Sequence, residues 1–129
     1  MGRKVRITAG QVTVSAELSE TPTAEAIHAV LPIQGLAQRW GGEIYFSTPV
    51  TVGTEADARE ELQAGELAYW APGKAFCVFF GPTPASNNAE PKAASAVNVF
   101  GKITGDTESL WEVADGEAVV VESLEGERA

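Results

Sequence analysis

The run AFCVFF, residues 75–80, restricts what this chain can fold into more than any other stretch. At strand periodicity one face carries Phe76, Val78 and Phe80, and the other Cys77 and Phe79. Both faces are apolar. A strand of an open sheet with one side in water carries a polar face, so this one needs a core on one side and a covering element or a ligand on the other. Burial of each large side chain contributes about 1.5–3 kcal/mol, which makes the strand central to stability. Core packing accounts for Phe76, Cys77 and Val78 without invoking any function.

Alternation continues elsewhere. In RKVRITAG, Val5, Ile7 and Ala9 share a face, and in QVTVSAEL so do Val12, Val14, Ala16 and Leu18. Two such runs joined at Gly10 predict a hairpin with one buried face. The period then changes. Thr21 as cap, Pro22 at the first helical position and Glu25 in the first turn predict a short helix. Its stripe is Ile27, Val30 and Leu31, and Pro32 stops it. IQGLAQRWGG reads as irregular. EIYFSTPVTV is β-rich, with Pro49 marking an edge, a bulge or a strand end. EADAREELQAG predicts one or two polar helical turns, with Ala58 and Leu62 on one side. ELAYW and AFCVFF are strands linked by the turn APGK. After the loop GPTPASNNAEPKAAS come a strand at VNVFGKI, a short helix at DTESLWEV, a last strand at GEAVVVESL and a frayed tail, EGERA. With seven or eight short strands and no regular crossover helices, the pattern predicts a mainly β, closed or nearly closed barrel.

Composition sets limits on partners. The 129 residues are one domain in size, with residues 3–124 expected to be ordered. Acidic residues number 18 against 9 basic ones, a net charge of −9 that repels nucleic acid. The basic cluster GRKVR, residues 2–6, reads as a solvated strand face or a solubilising N-terminus. No apolar run approaches the ~20 residues of a membrane span, and no secretory signal is visible, so a soluble cytoplasmic protein is expected. One cysteine and one histidine build neither a disulfide nor a structural zinc site. The glycines lack phosphate-loop spacing, and nothing points to a cofactor.

Tyr69 and Trp70 carry polar tips that need partners when buried, and such residues favour pocket rims. Tyr45 shares a strand face with Glu43, close in sequence to Arg39 and Trp40. Together they read either as a small-ligand or peptide pocket or as an Arg39–Glu43 salt bridge with aromatic packing. Asn98 interrupts an apolar strand on the face of Phe100, so its amide either bonds neighbouring backbone or reads a ligand. His28, on the helix, reads as a surface or boundary residue. Cys77 reads as inert, its thiol pKa raised by burial. Glu60–Glu61 and Glu125–Glu127 read as solvated charge.

The segments WGGEIYFSTPV, GELAYWAPGKAFCVFFGPTP and ASAVNVFGKI resemble, in this order, a prokaryotic cyclophilin-like fold family of uncharacterised small proteins. The likeness spans residues 3–124 and implies a closed eight-stranded barrel with two or three short helices over its ends. A more distant similarity links Phe79–Phe80, Pro82–Thr83–Pro84 and Val99–Phe100–Gly101 to the cyclophilin prolyl isomerases. That similarity implies that Phe80 occupies the aromatic position that seats the substrate proline. The chain departs from the isomerases elsewhere. EIYFSTPV lacks their catalytic Arg, no Phe-Met-x-Gln segment occurs, PASNNAEPKAAS has no Trp, and Val97 replaces a pocket His. Isomerisation faces a barrier of ~18–20 kcal/mol, which a donor aimed at the prolyl nitrogen lowers.

The resulting expectation is a binding barrel without that catalytic Arg and with no catalytic residue assigned. Arg39, Glu43, Tyr45, Tyr69, Trp70, Phe80 and Asn98 would line a pocket for a small molecule or extended peptide. A prolyl isomerase and an oligomeric scaffold using the same aromatics are the rival expectations, with the oligomeric state open.

Overall fold

The computed structural model describes residues 3–124; the expected C-terminal tail and Glu125–Glu127 lie outside them. β1 (Arg3–Ala9) and β2 (Val12–Leu18) form the expected hairpin, paired from Arg3↔Leu18 to Ala9↔Val12. Gly10 opens its two-residue turn at φ +60°, a region where residues with a Cβ are strained. Val5, Ile7, Ala9, Val12, Val14, Ala16 and Leu18 are all buried, as the alternation predicts.

Helix α1 (Pro22–Ala29) also forms as read. Thr21 Oγ1 accepts from the Ala24 amide at 3.1 Å, Ile27 is fully buried, and Val30 and Leu31 pack against the core from beyond the helix end. His28 is half-buried in its last turn.

The next segment is not irregular. It forms β3 (Ile33–Leu36) and β4 (Gln38–Arg39), the first paired with the last strand of the chain. No local pattern announces β3, since Ile33 is buried and Leu36 is 65% exposed; its partner strand creates it. β5 (Glu43–Ser47) ends before Pro49, as expected.

EADAREELQAG is not helical. It supplies β6 (Arg59–Glu61), paired across a bulge with the long strand at Lys92–Ile103, and only Leu62 of the expected apolar pair is buried. A stretch this short does not nucleate a helix unaided, and pairing with a neighbouring strand satisfies its backbone instead.

β7 (Glu66–Trp70) and β8 (Ala75–Phe79) follow, joined by a 3-10 turn at Ala71–Gly73 with Lys74 at φ +49°. β9 (Lys92–Ile103) is far longer than VNVFGKI and begins inside the expected loop. A 3-10 helix at Glu108–Glu112 replaces the expected short helix, and β10 (Ala118–Ser123) is last.

These ten strands, rather than eight, form one antiparallel sheet in the order β3-β10-β1-β2-β9-β7-β8-β5-β4, with β6 on β9. The two strands at the ends of that order, β3 and β4, are separated in the chain by Ala37 alone. Among the described residues α1 is the sole α-helix.

The sheet has apolar residues on both faces. The main core holds Phe46, Phe76 and Phe100, with Phe46 stacked on Phe76 at 4.8 Å and Phe100 edge-on to Phe76 at 5.1 Å. Each pair adds about 0.5–1.5 kcal/mol to its area burial. On the opposite face Leu62, Ala68, Ala75, Cys77, Phe79, Ala93 and Val97 form a second cluster, with Tyr45, Trp70 and Val99 packed on it. AFCVFF is thus buried on both sides, as its composition requires. No helix among the described residues is long and apolar enough to cross a membrane.

Candidate functional site

The second cluster does not fill its face. Register explains why. Glu43 lies opposite Phe79, Tyr45 opposite Cys77, and Trp70 opposite Ala75, while Ala68 also faces Cys77. Large side chains therefore ring a floor of small ones, Ala75 and Cys77. The result is a cleft of about 270 Å³, walled by Trp40, Glu43, Tyr45, Trp70 and Phe79 and closed by Ala93, Ala94 and Val97 from β9.

Each wall is held locally. Trp40 and Glu43 flank the Gly41–Gly42 turn and exchange backbone hydrogen bonds of 2.9 and 3.2 Å. Gly42 is required there, because a Cβ would lie 2.3 Å from the Gly81 carbonyl carbon. This close approach lets the Phe80 amide bond the Gly42 carbonyl at 2.8 Å and fixes the turn against the end of β8. Trp70 is anchored by its Nε1, which donates to Ser95 Oγ at 2.7 Å. The loop over the cluster is set by Thr83 and Ser86, the Thr83 amide donating to Ser86 Oγ at 2.9 Å and Ser86 Oγ to the Glu90 carbonyl at 2.7 Å.

Glu43 is the chemical feature of the site. It is only 6% exposed, and no arginine, lysine or histidine lines the cleft with it. Burial pushes its carboxyl up to about 7, partly offset by a hydrogen bond from the Cys77 thiol. Burial, and then the Glu43 charge, push the Cys77 thiol well above its ordinary range. Cys77 is therefore a protonated donor rather than a nucleophile. Near neutrality Glu43 sits between a neutral O–H donor and an uncompensated carboxylate.

Of the residues expected to share one pocket, Glu43, Tyr45 and Trp70 come together. Arg39, Tyr69, Phe80 and Asn98 do not line the cleft, and each is engaged elsewhere. Arg39 forms no salt bridge with Glu43. Its guanidinium donates to the carbonyls of Gly41 at 2.8 Å and Val113 at 2.7 Å, and stands 5.3 Å over Phe80 and 5.6 Å over Trp111. Phe80 packs edge-on against Trp111 at 4.9 Å. Tyr69 is buried in the main core, its hydroxyl donating to the Val50 carbonyl at 2.7 Å. Asn98 accepts from the Glu55 amide at 2.8 Å and donates to Thr23 Oγ1 at 3.1 Å and the Gly53 carbonyl at 2.9 Å.

Sequence reasoning placed Trp40 only near the pocket and did not single out Ala75, Cys77, Phe79, Ala93, Ala94 or Val97 as walls. The available signal was the small Ala75 and Cys77 on one face of an otherwise bulky strand; which large residues they meet is set by register.

A family model described as cyclophilin-like matches residues 3–122. The chain belongs to the cyclophilin-like family. Among solved structures, this cyclophilin-like chain is similar to the hypothetical protein AF2241 from Archaeoglobus fulgidus, known from a solution structure. The two are 46% identical, with 95% of each chain covered and a TM-score of 0.81. No curated protein matches the chain. Among the described residues no group of three or more His, Cys, Asp or Glu side chains is placed to hold a metal.

Proposed function

We propose that this cyclophilin-like protein is a binding barrel whose ligand occupies the cleft between Trp40, Tyr45 and Trp70. The sheet is read as closed because its end strands, β3 and β4, are one strand interrupted at Ala37. The observation that carries the binding reading is Glu43. A carboxyl buried in an apolar, aromatic-walled cleft without a countercharge is expensive for a fold to keep, and such a group in a cleft marks a functional site.

The volume of about 270 Å³ is just below the ~300–1,000 Å³ of drug-sized ligand sites. It favours one small molecule, or a single side chain of a peptide, over a peptide bound along its length. Prolyl isomerisation is the less supported reading, since the cleft offers no arginine and Trp70 Nε1 is taken by Ser95. For an oligomeric scaffold, the exposed large apolar side chains among the described residues are only Leu36 and Trp111.

The test is an NMR titration with a library of charged and uncharged fragments and Ala-Pro peptides, following the three indole N–H signals. Ligands should move Trp40 and Trp70 and leave Trp111 in place. If no compound moves the first two, the cleft is not a binding site. Exchange spectroscopy on the same peptides measures isomerisation directly.

A further inference from the structure

The class of ligand can be read from the cleft, on the assumption that the cleft binds a ligand at all. Glu43 is its one acidic group, 94% buried by its 6% exposure, with the Cys77 thiol as its polar neighbour. A buried carboxylate is stable when it keeps its proton or meets a positive charge. No side chain of the cleft supplies that charge. Trp40, Tyr45 and Trp70 present aromatic surface around the same space, and aromatic faces attract cations. The rest of the wall is alanine, valine and phenylalanine, which offers little to orient a polar neutral ligand. The net charge of −9 adds a field that draws cations toward the protein.

We infer that the cleft takes a small organic cation, a protonated or methylated amine, with its charge at Glu43 and its carbons against Trp40, Tyr45 and Trp70. The cation supplies the countercharge that the fold omits. An anion is excluded by Glu43, and a neutral molecule of the same shape gains only the apolar contacts. Binding of a permanently charged cation strengthens as Glu43 loses its proton. The other titratable groups on the cleft are the Cys77 thiol on β8 and the Tyr45 phenol on β5; β7 and β9 contribute none.

The experiment titrates choline and its uncharged carbon isostere, 3,3-dimethyl-1-butanol, into the wild-type protein and follows the Trp40 and Trp70 indole signals at pH 6 and pH 8. Choline should bind at least tenfold more tightly than the isostere at pH 8, and the ratio should shrink at pH 6. Glu43→Gln should abolish the discrimination, and Trp70→Leu, which keeps the carboxylate, should weaken choline at least tenfold. Equal binding of choline and isostere overturns the inference, as does choline affinity unchanged in Glu43→Gln. Absence of saturable binding by choline, tetramethylammonium and n-butylammonium overturns it too. In that last case uncharged fragments that still move Trp40 and Trp70 leave the ligand-binding reading standing.

Discussion

Tyr45 on β5 faces Cys77 on β8 directly across the strand ladder, a large ring opposite a small thiol. Strand pairing holds the two backbones at a fixed spacing, so the volume that Cys77 lacks stays empty above the sheet. The cleft is a consequence of that mismatch, repeated where Trp70 faces Ala75.

Filling the mismatch should close the site. Cys77→Leu places a larger apolar side chain on the floor, at a cost in stability of no more than ~1–3 kcal/mol. The expected outcome is a folded protein whose Trp40 and Trp70 signals no longer respond to any ligand that moves them in the wild type. Retained binding would show that the ligand does not reach the cleft floor.

Glu43 should make stability depend on pH in an unusual direction. Its folded-state value of about 7 lies above the ordinary 4.5, so between these limits the folded state binds more protons than the unfolded one. Stability therefore falls as pH rises through this window, by roughly 3 kcal/mol in total. Glu43→Gln removes that dependence. Urea denaturation of both proteins at pH 5, 7 and 8.5 should show the variant gaining on the wild type as pH rises.

Asn98 ties β9 to α1 and to the segment before β6 through Thr23, Gly53 and Glu55. Asn98→Ala leaves buried polar groups without partners and should cost about 2–4 kcal/mol. Amide exchange at Glu55 should accelerate with it. A loss under 0.5 kcal/mol would show that these bonds contribute little.

Arg39 joins the β4–β5 hairpin to the Glu108–Glu112 turn and its following residues through the carbonyls of Gly41, Trp111 and Val113. Arg39→Met should lower stability by about 1–3 kcal/mol and shift the Trp111 indole signal. Arg39→Lys should recover little of the loss, because an ammonium cannot span several carbonyls and stack on Phe80 at once.

Elements with a strong local period were legible. The β1–β2 hairpin and α1 form as their alternation and caps dictate, and AFCVFF is buried on both sides. β3, β4 and β6 were not legible, because their strand character comes from partners distant in sequence. For the site, the polar tips of Tyr45 and Trp70 and the charge of Glu43 marked three of its walls. The same reasoning applied to Tyr69, Asn98 and Arg39 could not distinguish a ligand from a carbonyl or amide of the protein itself. Tyr69 found Val50, Asn98 found Gly53 and Glu55, and Arg39 found Gly41 and Val113.

By itself the sequence determined that this chain would be built mainly of strands, with an apolar strand at residues 75–80 needing cover on both faces. Side-chain period and composition are local properties, and they set which residues must leave water. Only the tertiary structure decided which side of each strand faced the core. It also decided which small residue met which large one, and that Glu43 would be buried without a countercharge. Those outcomes depend on the register between strands far apart in the chain, where a shift of one residue exchanges the two faces.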